Sequence, residues 1–213
     1  MKKQLEFWKG PFGKIYTDRN TFNYRQWERL NKKRYGITKA EIFKHAFKNL
    51  NKRIKILEVG CNIGLEMKEL AKMGFQNIYG IELQEYAVKK AHEINPELNI
   101  IQGSGFDIPF KDKYFDLVMT NGVLIHISPK AIKKFMNEIY RVSSKYIYGH
   151  EYYSQNFQEI KYRGNKDVLW KGDFAKIYCN TFPNIKILHR ELLPYKNTEE
   201  KGNTDISFLL KIQ

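Results

Sequence analysis

Short apolar runs alternate with helical repeats along most of the chain, beginning at Ile54. Each run is rich in Ile, Leu, Val, Phe or Tyr and is bounded by polar residues or glycine, which is typical of buried strands. The runs predict strands at residues 54–59, 77–83, 99–103, 115–122, 144–152, 185–192 and 205–212.

Apolar residues at helical spacing separate several of these strands. Ser128 and Pro129 suit the N-cap and the first position of one helix, and the apolar residues from Ile132 to Val142 keep its period. The same spacing predicts helices at 64–73, 85–94 and about 170–180, and another at 39–50 ahead of the first strand.

This alternation predicts an α/β domain over residues 54–213, built on a doubly wound, mostly parallel sheet of seven strands. The last two strands have no helix between them, so we expect an antiparallel C-terminal hairpin bridged by residues 195–204. Residues 1–53 are aromatic and basic, and we expect them to form a helical lid over the domain.

Composition narrows the class of protein. Hydrophobic residues make up 42% of the 213 positions, which is enough for a sizeable core and argues against global disorder. The net charge of +14 suggests that the protein binds nucleic acid. However, the positive charge comes from 29 Lys and only 8 Arg, and the lysines are scattered, whereas nucleic-acid-binding proteins usually rely on arginine in a concentrated patch. A solvated basic surface is therefore favoured over a nucleic-acid partner, and an anionic small-molecule substrate is a third interpretation.

The cysteines and the N-terminus predict a cytoplasmic protein. Cys61 and Cys179 stand alone, without the spacing of a zinc site or a disulfide framework, so we expect no metal. The opening MKKQLEFW is not followed by an apolar signal region, and no run approaches the length of a membrane span.

A glycine loop follows the first predicted strand, in the run Gly60-Cys61-Asn62-Ile63-Gly64. It lacks the third glycine of a dinucleotide fingerprint and the lysine of a P-loop. Glu58 ends the strand before it, and Glu82 ends the second strand. In a doubly wound sheet these strand ends face the ligand, and an acid after the second strand can accept both hydroxyls of a ribose.

These features resemble class I S-adenosylmethionine-dependent methyltransferases, as does the stretch QGSGFDIPFKDKYFDLVMTNGVLIHI at 102–127. The chain departs from the family pattern at Asn62, in place of a glycine, and at Ser104, in place of an adenine-facing Asp. Asn adopts left-handed backbone readily, and a Ser hydroxyl still accepts a hydrogen bond. The resemblance implies S-adenosylmethionine as the cofactor, bound by Tyr16, Arg19, Glu58, Gly60, Cys61, Asn62, Gly64, Glu82, Leu83, Ser104, Gly105, Phe106, Asn121 and Gly122.

A narrower resemblance runs nearly end to end. The segments EFWKGPFGKIYTDRN (6–20), GVLIHI (122–127), KYRG (161–164) and LWKGDFA (169–175) are similar to pseudaminic acid biosynthesis-associated methylases. That family is linked to nonulosonic acids, the acidic sugars of bacterial surface glycans. The resemblance implies a small acidic sugar or a sugar-derived metabolite as the methyl acceptor.

The acceptor site is expected beyond the fourth and fifth strands. His126 or Glu151 would take the acceptor's proton, Tyr152 and Tyr153 would line the pocket, and Arg163 would clamp an acidic group. A capping histidine, buried tyrosines and a surface arginine are the structural alternatives. In the lid, Phe12 and Tyr16 would cover the donor or simply pack, while Arg19 would meet its carboxylate.

Two other functions stay open on the sequence. A methyltransferase acting on RNA or protein would use the basic surface, although the sequence shows no separate RNA-binding module. A module that binds S-adenosylmethionine without transferring its methyl group would need the same loop.

Overall fold

The computed structural model describes residues 2–213, and within them the side chains of all but Lys2, Lys3 and Thr198. Met1, the first residue of the predicted lid, lies outside the described residues. The helices are α1 (Lys2–Lys9), α2 (Pro11–Arg19), α3 (Tyr24–Tyr35), α4 (Lys39–Phe47), α5 (Leu65–Lys72), α6 (Glu85–Ile94), α7 (Ile132–Val142) and α8 (Phe174–Thr181). The strands are β1 (Lys55–Val59), β2 (Asn77–Glu82), β3 (Asn99–Gln102), β4 (Phe115–Asn121), β5 (Ser143–Tyr152), β6 (Gln158–Glu159), β7 (Trp170–Lys171), β8 (Ile185–Pro194) and β9 (Thr204–Ile212).

Seven of the strands form one sheet, in the order β3-β2-β1-β4-β5-β9-β8. The first five are parallel, and β9 runs antiparallel to both β5 and β8. The predicted α/β fold, its seven-stranded sheet and its C-terminal hairpin are confirmed. Val59 at the end of β1 pairs with Ile81 on one side and Thr120 on the other, so three carboxyl ends lie side by side.

Helices cover both faces of this sheet, as its two-sided burial requires. On one face, Phe43 and Phe47 of α4 pack with Met67 and Leu70 of α5. On the other face, α7 and α8 bury a larger cluster that includes Phe135 and Phe174. Residues on both faces of β1 and β4 are fully buried, which explains why their sequences are continuous apolar runs.

Two predicted helix starts were wrong. α7 begins at Ile132, because residues 129–131 form a turn in which the main-chain carbonyl of Ser128, not its hydroxyl, accepts hydrogen bonds from Ala131 and Ile132. The helix predicted at about 170–180 begins at Phe174, where the side chain of Asp173 caps it. Trp170 and Lys171 before it belong to the short strand β7.

The N-terminal segment is helical, although much of its sequence has a weak period. Pro11 occupies the first turn of α2, and capping boxes fix the starts of α3 and α4 through Asn23 with Gln26 and Thr38 with Glu41. α4 is shorter than the predicted 39–50. In the part of the chain that the structure describes, no helix is long and apolar enough to cross a membrane.

Candidate active site

The loop after β1 is held in an unusual backbone conformation. Gly60, Asn62 and Gly64 have φ values of 75°, 47° and 81°, all in the left-handed region. Glu82 fixes this loop, since its two carboxylate oxygens accept from the main-chain N–H of Asn62 at 2.9 Å and of Gln84 at 2.8 Å. The end of β2 therefore sets the shape of the loop that follows β1.

The two glycines of this loop lack side chains for different reasons. A Cβ on Gly60 would lie 2.7 Å from the Cγ2 atom of Val123, on the neighbouring turn after β4. A Cβ on Gly64 would lie 2.5 Å from Leu98 and 3.1 Å from Ile100, in the packing of α5 against the sheet. Gly64 serves helix packing and does not line the cavity described next, in contrast to its predicted role.

A first cavity of about 230 Å³ lies over the carboxyl ends of β1, β2 and β4. The predicted donor residues line it except for Gly64 and Arg19, the latter facing a second cavity. Helices α1 and α2 supply its cover with Gln4, Leu5, Trp8, Gly13, Tyr16 and Thr17. Residues more than a hundred positions apart in the sequence therefore line the same cavity.

Three carboxylates give the first cavity an acidic wall, formed by Glu58, Glu66 and Glu82. Glu58 is only 1% exposed, and its Oε2 atom has no hydrogen-bond partner among the described residues. Burial raises the pKa of all three carboxyls, and the neighbouring carboxylate of Glu66 raises the pKa of Glu58 further. An unpartnered buried carboxylate is costly, so this wall suits a cationic ligand.

Another part of the first cavity is apolar. The ring of Phe106 packs edge-on against Phe135 at 5.0 Å, and its main-chain N–H donates to the hydroxyl of Ser104 at 3.2 Å. A Cβ on Gly105 would lie 2.4 Å from Phe135, so only glycine fits there. Phe106 therefore belongs to the core and also lines the cavity.

A second cavity of about 510 Å³ adjoins the first. Both are lined by Tyr16, Asn20, Phe22, Trp27, Glu66, Asn121, Gly122 and His126. The second cavity extends past Lys39, His150, Tyr152 and Asp205 towards Arg34 and the Glu199–Glu200 segment. Two ligands could occupy adjacent spaces that meet at Asn121 and His126.

His126 lies at this junction on a short 3-10 turn, residues Leu124–His126. Its Nδ1 atom is 2.8 Å from the carbonyl oxygen of Val168. Because a carbonyl only accepts, Nδ1 carries the proton and Nε2 is left with a free lone pair. Burial lowers the pKa of His126 to about 4, so the ring is neutral near pH 7.

A buried polar chain runs beside the junction. The Nζ atom of Lys39 lies 2.9 Å from Oδ1 of Asn121 and 2.7 Å from Nδ1 of His150. On the far side of His150, Nε2 lies 3.2 Å from Oδ2 of Asp205, and that carboxylate also accepts from Tyr35 and Tyr195. The side-chain N–H of Asn121 donates to Glu66, which links the chain to the acidic wall.

Three of the predicted acceptor residues do not line these cavities. Glu151 is fully buried, and its carboxylate accepts from the main-chain N–H groups of the turn at Val123–Ile125. Arg163 is exposed in a turn at φ 47°, and Tyr153 packs near the guanidinium of Arg190. Only Tyr152 of the predicted acceptor-binding set faces the second cavity.

The structure adds functional candidates that the motifs did not reveal. Glu66 and Gln84 join the first cavity, while Lys39, His150 and Asp205 join the second. A signal existed for His150, which together with Glu151 is a polar residue in a run that is buried from Ile147 to Glu151. Within the described residues, no group of three or more His, Cys, Asp or Glu side chains could hold a metal ion.

Comparison with known proteins identifies the central part of the chain. Residues 57–145 match the methyltransferase domain family. The matched stretch contains the Gly60–Gly64 loop, Glu82, the Ser104–Phe106 turn and His126, so most residues of the first cavity belong to it.

Solved structures share the fold of the methyltransferase domain together with its flanking elements. The magnesium protoporphyrin IX methyltransferase of Synechocystis PCC 6803, solved with bound SAM, is 13% identical with a TM-score of 0.67, covering 100% of this chain and 96% of its own. The 1,6-didemethyltoxoflavin-N1-methyltransferase of Burkholderia thailandensis, solved with S-adenosylhomocysteine, is 10% identical with a TM-score of 0.65, covering 96% and 91%.

Curated relatives match shorter stretches. A Haemophilus influenzae protein is 32% identical over 41% of this chain, a Neurospora crassa sterol 24-C-methyltransferase 29% over 50%, and a Rauvolfia serpentina norajmaline N-methyltransferase 30% over 51%. The matched stretches cover 38%, 29% and 39% of those proteins, about a third of their length. The predicted methyltransferase fold is confirmed, while the bounds of the predicted domain and the resemblance to pseudaminic acid-associated methylases stay predictions.

Proposed function

We propose that this protein is an S-adenosylmethionine-dependent methyltransferase that acts on a small acidic sugar or sugar-derived metabolite. The observation that carries the proposal is the buried carboxylate of Glu58, which has an unpartnered oxygen beside Glu66 and Glu82 in the first cavity. S-adenosylmethionine carries a sulfonium, an ammonium and one carboxylate, so its net positive charge partly compensates the acidic wall. The two solved methyltransferases with bound donor or product support the same cofactor.

The residues of the first cavity fit the parts of this cofactor. Each carboxylate oxygen of Glu82 accepts one main-chain N–H and keeps a second lone pair, so both could also accept a ribose hydroxyl. The apolar end formed by Gly105 and Phe106 suits the adenine ring, with Ser104 at its edge. Tyr16 and Trp8 cover the cavity from the lid and exclude water.

The acceptor occupies the second cavity in this proposal. When bound, S-adenosylmethionine supplies an electrophilic methyl group on a neutral leaving sulfur, so the protein must align the acceptor and remove one proton. His126 lies where the cavities meet, and its free Nε2 lone pair is placed to take that proton. Holding the donor and the acceptor in line in adjacent cavities lowers the activation barrier by more than the proton transfer does, by about 7–11 kcal/mol in well-oriented reactions.

The sugar class rests on the resemblance to pseudaminic acid-associated methylases and on the polar lining of the second cavity. Tyr152 and Asn197 offer hydroxyl-binding groups to a sugar acid, and Lys39 offers a positive charge. A cytoplasmic location is part of the proposal, and the free thiols of Cys61 and Cys179 support a reducing compartment.

The test has two independent arms. Calorimetry with S-adenosylhomocysteine measures binding in the first cavity, and Glu82→Gln should weaken it while the exposed Glu85→Gln should not. Transfer from methyl-labelled S-adenosylmethionine is then measured with N-acetylneuraminic acid, a nonulosonic acid, and with total RNA as the competing acceptor. Label in the sugar acid supports the proposal, and label in RNA that declines steeply with salt would replace it. Donor binding without label in either would overturn the acceptor class.

A further inference from the structure

The ammonium of Lys39 is buried and has no ion-pair partner among the described residues. It is the first residue of α4, its side chain is 2% exposed, and Thr38 caps the helix just before it. Within residues 2–213, the structure shows no ion pair between its ammonium and an Asp or Glu side chain. Buried lysines are rare in folded proteins, and those that occur are nearly always paired.

The hydrogen-bond partners of Lys39 are both uncharged and both fixed in direction. An ammonium only donates, so Asn121 must turn its carbonyl oxygen towards Nζ, and its amide N–H then donates to Glu66. His150 must accept at Nδ1, which puts its own proton on Nε2, facing Asp205. Burial and the Lys39 ammonium lower the pKa of His150 to about 4, which agrees with a neutral ring.

The carboxylate of Asp205 does not contact Lys39, because the ring of His150 lies between them. Its carboxylate accepts from Tyr35 at 2.6 Å, from Tyr195 at 2.9 Å and from His150 at 3.2 Å. The ammonium has three N–H groups, and Asn121 and His150 take two of them. Lys39 also lines the second cavity, and among the described residues only those two groups accept from its ammonium.

The other cations of the second cavity are already engaged. Arg34 pairs with Glu200 at 3.4 Å and stacks on Tyr195, and Lys33 pairs with Glu199 at 3.5 Å. Arg19 donates to the hydroxyl of Tyr162. Lys39 differs from Arg34 and Lys33 because it has no carboxylate partner, and from Arg19 because it is almost fully buried. A single charge-assisted hydrogen bond is strongest in such a place.

We infer that Lys39 is the cation that receives the carboxylate of the methyl acceptor. This inference rests on the proposed function. It replaces Arg163, which lies on the surface, with Lys39 as the residue that binds the acidic group of the acceptor. Asn121 touches Lys39 and lines both cavities, so a carboxylate on Lys39 would lie next to the donor. Burial lowers the pKa of Lys39 while Glu66, Asp205, Glu58 and Glu151 raise it, and a bound carboxylate would further stabilise the ammonium.

The experiment uses the full chain with labelled lysine, saturated with S-adenosylhomocysteine, and acetate as the carboxylate probe. The side-chain NMR signal of Lys39, assigned by its loss in Lys39→Gln, should shift saturably as acetate is added. Acetate affinity, measured by calorimetry, should fall about tenfold or more in Lys39→Gln, as expected when a charge-assisted bond is lost. Lys32→Gln, which removes an exposed lysine outside both cavities, should leave the shift and the affinity unchanged.

The outcomes separate the inference from the proposed function. If the product fails to bind, the proposed function fails whatever acetate does. If the product binds and no lysine side-chain signal of the wild-type protein shifts saturably with acetate, the inference is overturned, even if Lys39→Gln does not fold. His150→Gln keeps an acceptor for Lys39 and a donor for Asp205, so acetate binding should survive in it; its loss there would point to an indirect effect.

Discussion

The side-chain amide of Gln84 donates to the main-chain carbonyl of Trp8 at 3.1 Å. The same NH2 group lies 2.8 Å from the carbonyl of Lys9 and 3.1 Å from that of Gly10, so it caps the C-terminal end of α1. Gln84 also donates its main-chain N–H to Glu82. One residue therefore ties the N-terminal lid to the carboxylate that we assign to the ribose.

Replacing Gln84 with Leu should loosen this attachment. The part-buried main-chain carbonyls at the end of α1 would lose their side-chain donor, which costs about 1–3 kcal/mol, and the cover of the first cavity would open more often. We expect weaker binding of S-adenosylhomocysteine and faster amide hydrogen exchange in α1 and α2. Gln76→Leu, at an exposed position, is the control. Exchange and affinity identical to those of the wild type would show that the lid is held by packing alone.

Glu82→Gln should weaken donor binding by about 1–3 kcal/mol, because the amide has one accepting oxygen where the carboxylate has two. It would also loosen the Asn62 loop, whose N–H bonds to Glu82. Calorimetry with S-adenosylhomocysteine measures the change against Glu85→Gln, an exposed acid at the start of α6. Unchanged affinity would remove Glu82 from the ribose site.

Binding of S-adenosylmethionine should release protons and strengthen as pH rises. In the free protein, burial raises the pKa of Glu58, Glu66 and Glu82. A bound cation favours their ionised forms and lowers these pKa values, so affinity increases by up to about tenfold per pH unit for each proton released. Calorimetry in buffers of different ionisation enthalpy counts the protons. Proton uptake on binding would contradict the acidic wall as the cation site.

His126→Gln should lower turnover by about 10²–10⁴-fold and leave donor affinity intact, as expected for loss of a proton acceptor. His92→Gln on the exposed face of α6 is the matched control. Because the pKa of His126 is about 4, activity should not decline through its protonation between about pH 8 and 6. Equal losses of affinity and turnover would make His126 a packing residue for Trp8, whose ring lies 4.4 Å away.

Glu151→Gln should change the pH dependence of stability. Burial raises the pKa of Glu151 from 4.5 to about 7, so the folded state loses stability as pH rises through this window and the charged form must be buried. Two and a half pH units correspond to about 3 kcal/mol. The unfolding free energy of Glu151→Gln minus that of the wild type should therefore rise by this order between pH 4.5 and 8. The exposed Glu93→Gln should show a flat difference.

The sequence was sufficient for the sheet and for most of the first cavity. Parallel strands buried on both faces leave continuous apolar runs, and their carboxyl ends must meet, so Glu58, Glu82 and Gly122 could be placed together without coordinates. Gly64 was misjudged because a glycine's reason for lacking a Cβ, here Leu98 and Ile100, comes from tertiary packing.

The second cavity could not be predicted in the same way. Lys39 lies 82 positions from Asn121 and 111 from His150, and only the docking of α4 beside β5 and β9 brings them together. No local spacing encodes that contact. Arg163, chosen for its chemistry, was placed on the surface by a left-handed turn with Gly164 that sequence reasoning did not identify.

The acidic wall of Glu58, Glu66 and Glu82 would bind the methyl donor more tightly than the demethylated product. Loss of the methyl group turns a sulfonium into a neutral thioether, so the spent form leaves one of the cavity's negative charges without its counter-charge. The wall then favours exchange of the used molecule for a new one. In a cell where the two compete for the same cavity, this bias would keep the protein working when spent donor accumulates, and the bias would grow as the surroundings become more alkaline.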